Sequence, residues 1–473
     1  MNRTTSGATP PGRRRAAAVP LRRRRLIATA APLLSAHLAA CTLGSGAGSQ
    51  AQPTRPEKLA GKLVFWGQSG SFTLFAKGVG AGIMDAFRVK HPELTLEVED
   101  NLSAGVGQHI EQVLQYAVGG VMPDVLLAHR LAVPQFGQQG LVGPLDDPLK
   151  RSRELKRDDL WPSHLQDSTW KGKLYGITHS TGVWVQFVNA QLWREAGADP
   201  DQPARTWDDL QATARRVTRI VDGKIERLGF HPIWNNGGTL WFLPYLRQQG
   251  GDFLTADYKP AFNNERGTKA LEFMKSFIDL QGGWPALDAF QKEVTAAISS
   301  RATGWNFGSG RLATALDSHT IGATLDEQFK DVKYTTAVLP LPPGGKQSGL
   351  QGGTALTLPV AGKQRDAAWA LIEHLMAPQN ILDFSLGLTR IPARRSVGHS
   401  AEYLQNDPRR KAFIEMVPHS FWTPPVPGGH ELADVVAAVV NDTLQGKRGV
   451  RDALGEAENQ TKTWGEKWRQ YLQ

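Results

Sequence analysis

Between Lys62 and Gly140 the chain alternates short apolar runs with amphipathic segments of helical period, and this alternation restricts the fold more than any other property of the sequence. Lys62-Leu-Val-Phe-Trp66 reads as a strand opening into the loop Gly67-Gln-Ser-Gly-Ser71. A helical segment with Ile83 and Phe87 on one face follows, then a second strand over 94–98. Ile110, Val113, Leu114 and Ala117 form one stripe of a helix over 110–118. Pro123-Asp124-Val125-Leu126-Leu127 is a third strand, and 131–140 a helix stopped by Gly140. Strands regularly separated by amphipathic helices imply an α/β unit with a mainly parallel sheet.

Beyond residue 140 the alternation loosens. Residues 182–188 read as one strand, 334–339 as another that ends in Pro340-Leu-Pro-Pro-Gly-Gly345, and 352–358 as a third. Helices are expected over 207–220, 269–280, 365–376 and 431–444. Thr206 is placed to cap the first of these, with Asp208 and Asp209 in its opening turn. At roughly 100–200 residues per domain, 473 residues favour two or more domains.

A net charge of +9 suggests a nucleic acid or anionic lipid as partner. The charge is local, however. Eight arginines and no acid lie in residues 1–40, and without them the body is nearly neutral, so no nucleic-acid partner is expected. After the arginines come about fifteen mostly apolar residues, too few for a membrane span, which needs roughly 20. A basic head and a short apolar stretch describe an export signal. Leu38-Ala39-Ala40-Cys41 looks like a lipobox, in which Cys41 becomes a lipidated N-terminus, and Cys41 is the only cysteine in the chain. Arg23-Arg24-Arg25-Leu26-Ile27 fits either a twin-arginine signal or a plain basic head. Residues 41–58, rich in Gly, Ser, Pro and Gln, read as a flexible tether. The expected location is the extracytoplasmic face of the cell membrane.

The one cysteine excludes an intrachain disulfide, thiolate zinc sites and iron–sulfur clusters. No phosphate-binding loop, His-Glu-x-x-His pair or nucleophile elbow is present. Neither a cofactor nor a metal is expected. Asp146-Asp147 could form an acidic pair, but its proline neighbours describe a surface turn. What recurs instead is tryptophan beside glycine and small polar residues: Trp66-Gly67-Gln68, Thr181-Gly182-Val183-Trp184, Trp234-Asn235-Asn236-Gly237-Gly238-Thr239-Leu240-Trp241 and Phe421-Trp422-Thr423. An aromatic face suits the C–H face of a sugar ring, and amide, acid and guanidinium groups suit its hydroxyl rim.

Several short motifs fall in a fixed order. They are Met122-Pro-Asp-Val125, Gln139-Gly-Leu-Val-Gly-Pro-Leu-Asp-Asp147, Trp170-Lys-Gly-Lys-Leu-Tyr-Gly176, Asn189-Ala-Gln-Leu-Trp193, Thr206-Trp-Asp-Asp-Leu210, Gln249-Gly-Gly-Asp-Phe253, Phe307-Gly-Ser-Gly-Arg311, Val338-Leu-Pro-Leu-Pro342, Gly352-Gly353 and Arg390-Ile-Pro-Ala-Arg-Arg395. From about Leu63 onward this order resembles the extracellular solute-binding proteins of ABC importers, of the maltodextrin- and sugar-binding type.

The resemblance implies a two-lobed periplasmic-binding-protein fold of type II. Its N-terminal lobe would comprise 59–180 and 346–390, its C-terminal lobe 181–345 and 391–473. Crossovers would lie near 175–188, 337–345 and 388–392. It implies a monomeric, non-catalytic, lipid-anchored receptor that closes on a carbohydrate and delivers it to permease subunits. A glycerol-phosphate diester ligand, a secreted carbohydrate-active enzyme and a sensor working through a kinase are the alternatives. Matched by position, the ligand-binding candidates are Gln68, Ser69 and Ser71 in the first loop, His129 and Arg130 after the third strand, and Thr181 and Trp184 in the first crossover. Trp234, Trp241 and Trp422 are inter-lobe aromatics, Gly353 and Thr354 follow the second crossover, and Arg390 lies at the third. After Arg311 the family's glycine and tryptophan are missing. Asp317 and His319 stand there as candidates, with a surface turn as the alternative.

Overall fold

The computed structural model describes residues 58–68, 75–103, 105–233, 238–295, 302–405 and 407–473. Two mixed β-sheets carry the fold. In chain order the principal strands are β1 (Gly61–Gln68), β2 (Leu94–Leu102), β3 (Val125–His129), β4 (Ile177–Val183), β5 (Val185–Asn189), β6 (Lys224–Phe230), β7 (Leu312–Asp317), β8 (Tyr334–Ala337) and β9 (Gly349–Thr357). The first sheet runs Ile391–Pro392, β4, β9, β3, β1, β2, with Ser420–Phe421 also paired to β9. The second runs β8, β5, β7, β6 and the short strand Arg219–Val221.

Alternation along the strands explains why the first sheet is buried on both faces. Leu63 and Phe65 of β1, with Val125 and Leu127 of β3, enter one core together with Met84, Phe87, Leu371 and Phe384. Trp66, Leu126 and Ala128 point the other way, against Ile110, Val113, Val133 and Phe136. Asp124 ties this sheet together. Its carboxylate accepts the backbone N–H groups of Val64 at 2.9 Å, Lys363 at 2.7 Å and Gln364 at 2.9 Å. The second sheet and the helices Gly429–Leu444 and Val450–Leu472 share a third, larger core.

The sheets are mixed rather than mainly parallel. β1 pairs in parallel with β2 and β3, whereas β9 runs antiparallel to both β3 and β4. In the second sheet only β6 and β7 are parallel, β5 being antiparallel to both β7 and β8. The crossing segments cause this, because a chain that leaves one sheet for the other returns in the opposite sense. The single strand expected over 182–188 is two strands, β4 in the first sheet and β5 in the second, divided at Trp184. The helix expected over 207–220 ends at Val217, and residues 219–221 turn into a strand paired with β6. Asp146 and Asp147 open a short helix, Asp146–Arg151, rather than a surface turn.

Candidate functional site

The strand ends of the first sheet bring together Gln68 and His129 with His109, which the sequence reading passed over. His109 lies on the buried stripe of the helix Val106–Val118. Its Nε2 accepts the backbone N–H of His129 at 3.3 Å, so its own proton sits on Nδ1, 3.3 Å from the Ser103 carbonyl. The Gln68 amide is 3.5 Å from that same Nδ1. Burial pushes His109 down to about 4. His129 falls to about 3 through burial, with His109 and Arg130 adding to the effect. Both imidazoles are neutral at pH 7.

Arg130 opens a 3₁₀ turn, Arg130–Ala132, that packs against the helix Gly429–Leu444. Its side chain is 3% exposed, and none of Nε, Nη1 and Nη2 has a hydrogen-bond partner. The Asp167 carboxylate stands 3.6 Å away and accepts instead from the Gln351 amide at 3.1 Å. Burial raises Asp167 to about 6, against the lowering pull of Arg130, Gln351 and Arg247. His164, held neutral by burial and by the charge of Arg130, completes this cluster. Asp167, His164 and Gln351 were also absent from the sequence-derived candidates; helices and strands far apart in the chain assemble them, and no local motif marks them.

Thr181, Gly353 and Thr354 meet on adjacent strands, Thr181 opposite Gly353 and Thr354 opposite both Ser180 and His129. The Thr181 hydroxyl donates to the Gly352 carbonyl at 3.0 Å, while the Thr354 and Ser180 hydroxyls, though buried, have no partner. Gly352 lies between two indoles. A methyl group there would sit 3.2 Å from Trp422 and 3.3 Å from Trp184. The two rings are 5.4 Å apart and inclined by 52°, Trp422 is half-buried, and the Trp184 indole N–H has no partner.

The second sheet contributes Asp317 at the end of β7 and His319 at the start of the helix His319–Gln328. Both are buried, at 1% and 5% exposure, which overturns the surface-turn alternative. Asp317 accepts the Ser318 N–H at 2.6 Å. The His319 ring reaches across to the first sheet, so that a methyl group on Gly182 would meet its Cε1 at 2.9 Å. Neither ring nitrogen of His319 has a partner, and burial together with the charge of Arg390 holds it well below the ordinary histidine range. Arg390, pushed down to about 10 by burial, joins His319 in lining a cavity of about 210 Å³ between the sheets. Gln186 of β5, fully buried with both amide atoms unpartnered, is a further polar residue that the sequence reading missed.

Trp241 sits differently from Trp184 and Trp422. It is fully buried in the larger core, stacked on Tyr245 at 5.7 Å, and offers only an unpartnered indole N–H. Ser69, Ser71, Trp234 and Cys41 lie outside the described residues. Among the described residues no three His, Cys, Asp or Glu side chains are grouped to hold a metal ion.

Facing groups of the two sheets thus combine hydrogen-bonding atoms without partners, neutral imidazoles and two indole rings. Such a lining can hold a polar, hydroxylated molecule by many modest hydrogen bonds and by ring contact.

Residues 83–412 match the family described as "Bacterial extracellular solute-binding protein". Similar curated proteins include the arabinooligosaccharide-binding protein of Bacillus subtilis, 25% identical over 323 residues covering 66% of this chain and 69% of that one. The maltooligosaccharide ABC transporter solute-binding lipoprotein of Streptococcus pneumoniae is 24% identical over 349 residues, 72% of this chain and 75% of the relative. Among solved structures, the sugar-binding protein MalE of Xanthomonas citri superposes with a TM-score of 0.74 at 21% identity, covering 86% of this chain and 98% of that one. That likeness establishes the two-lobed fold.

Proposed function

This chain belongs to the bacterial extracellular solute-binding proteins, and from that premise we propose that it captures a carbohydrate between its two lobes and delivers it to the permease of an ABC importer. The observation that carries the reading is the set of buried, unpartnered donors and acceptors on Ser180 and Thr354, paired on adjacent strands of the first sheet, and on Trp184 beside Trp422, with the unpartnered His319 ring of the second sheet against Gly182. Leaving such groups buried without partners costs about 1–3 kcal/mol each, so a ligand that satisfies several of them stabilises the closed arrangement. The lobes are built on the first and the second sheet, the first taking in β4 through Val183 and the strand Ile391–Pro392, and they close by a hinge at the crossing segments. The receptor is monomeric, non-catalytic and held at the extracytoplasmic face through a lipid on Cys41. Related chains carry oligosaccharide-binding and importer names, which supports the ligand class and the partner.

Titration of the purified protein with neutral mono- and oligosaccharides, with the sugar recovered afterwards, tests this. A saturable rise in melting temperature with the sugar recovered intact is expected. Cleaved sugar would establish an enzyme, and no response to any sugar would remove the carbohydrate reading. Incorporation of labelled palmitate that disappears in Cys41→Ser checks the anchor.

A further inference from the structure

His319 stands where the two lobes turn on each other. It follows β7 of the second sheet and opens the helix His319–Gln328, yet its ring reaches Gly182 of β4 in the first sheet, just before the crossing at Trp184. Only glycine leaves that seat open: a Cβ at position 182 would lie 2.9 Å from the ring Cε1 and 3.2 Å from Nδ1. The ring is buried, and neither nitrogen has a hydrogen-bond partner to hold a proton there. On its other side is the cavity of about 210 Å³, with Phe187 and Tyr334 of the second sheet on one wall and Ser385, Arg390 and Ile391 of the third crossing on the other.

The groups around the ring decide whether it can carry charge. Arg390, 9% exposed, is the charge that it feels, and burial and this guanidinium together hold the imidazole neutral. Asp317 turns its carboxylate to the Ser318 amide at 2.6 Å. Across the cavity, Asp407 and Asp326 are both engaged by Arg409, at 2.7 and 3.8 Å, and Arg410 donates to the Tyr403 carbonyl at 2.7 Å. Burial keeps Tyr334 and Tyr403 as neutral phenols. The one titratable residue of β4, His179, faces Phe75 and Phe384 instead.

We propose that His319 is a proton-sensitive wedge of the hinge: the lobes close on a sugar only while its ring is neutral, so that acid opens the receptor and releases the sugar. The proposal rests on the carbohydrate reading above and adds its regulation. When the hinge opens, the ring lifts from Gly182 and water reaches it, and a hydrated imidazole takes up a proton near pH 6.5. Closure must expel that proton, because the closed seat offers it burial and the Arg390 charge. The closed form is therefore favoured in full above pH 6.5 and loses ground as the pH falls below it.

The test is calorimetric titration of the purified full-length protein with maltotriose and with arabinotriose at pH 7.5 and 5.5. One pH unit below 6.5 a hydrated ring is about nine-tenths protonated, so affinity at pH 5.5 should be roughly ten-fold weaker than at pH 7.5. At pH 6.5 about half a proton should leave per sugar bound, read from the heats in two buffers of different ionisation enthalpy. His319→Gln fills the seat without a titratable group, and its ratio of affinities at the two pH values should shrink to less than about two-fold, whatever the affinity itself. Melting curves at pH 5.5 establish that both proteins are folded. Equal affinity at the two pH values, or a ratio in folded His319→Gln as large as in the parent chain, overturns the proposal and leaves the carbohydrate reading standing. Should the variant bind neither sugar, the imidazole resonance missing from its NMR spectrum decides. In the parent chain that resonance should titrate near pH 6.5 without sugar and cease to titrate there with sugar bound, and equal titration in both states overturns the proposal. Binding of neither sugar by the parent chain removes the carbohydrate reading and the proposal with it.

Discussion

Gly352 and Gly353 occupy the middle of β9 for two separate reasons. Gly353 has φ +148°, and a methyl group there would stand 2.0 Å from the Ser180 carbonyl oxygen on the neighbouring strand. Gly353→Ala should therefore cost about 2–3 kcal/mol of stability, read as a lowered denaturant midpoint; an unchanged midpoint would contradict this account of β9. Gly352 has no such backbone constraint and serves the indoles on either side of it. Trp422 keeps part of its ring exposed, so Trp422→Ala should weaken sugar binding by roughly ten-fold or more at nearly unchanged melting temperature. Equal affinity in calorimetry would show that Trp422 is not part of the site. At this scale the candidates differed in how readable they were. The tryptophan–glycine pairings are visible in the linear text, whereas His109 and Asp167 gain meaning only from partners far along the chain.

Among the elements, the helix Trp207–Val217 shows local rules obeyed in full. Thr206 accepts the Asp209 N–H at 3.0 Å and the Asp209 carboxylate accepts the Thr206 N–H at 3.0 Å, a reciprocal cap. Thr206→Ala should remove about 1 kcal/mol, seen as a small fall in the unfolding midpoint, and a fall of several kcal/mol would mean that the cap supports more than its own helix. The crossing strands show the opposite case. Residues 182–188 carry the β-branched and aromatic side chains of one strand, and propensity has no means of registering that the hydrogen-bonding partners change from β9 to β7 and β8 at Trp184. Terminal helices are expected in the last segment of the chain, but the bounds of Val450–Leu472 are not legible there, although its buried residues Ala453, Leu454, Ala457, Thr461, Trp464 and Trp468 recur at helical spacing. Three of the six are Ala or Thr, which blunts the apolar stripe.

Across the whole molecule, the buried histidines set the response to acid. Burial pushes His109 down to about 4 and His129, His179 and His231 each down to about 3. An unfolded chain protonates these rings near pH 6.5, so stability is constant above that pH and falls as pH drops from 6.5 toward 4, by about 1.4 kcal/mol per pH unit for each ring. Asp167, raised to about 6, works in the other sense: the folded state takes up its proton first, and stability is regained between pH 6 and its unfolded value of 3.8. His164 and His319, also held well below the ordinary histidine range, act in the same sense as these four, so the rings outweigh the carboxyl and leave a net loss. Melting temperatures measured from pH 7.5 to 4.5 should fall steadily below pH 6.5, and a flat profile would mean that these rings are not held neutral. The sequence by itself determined what depends on neighbours in the chain: the α/β alternation, the cap at Thr206, the basic character of residues 1–40, and the order of motifs that marks the family. The tertiary structure alone decided which polar groups are left buried without partners, where Trp184 divides two sheets, and that Asp317 and His319 are buried. Those outcomes depend on desolvation and on contacts between residues far apart in sequence, such as Arg130 with Asp167 and Gly182 with His319, and local propensity carries no record of either.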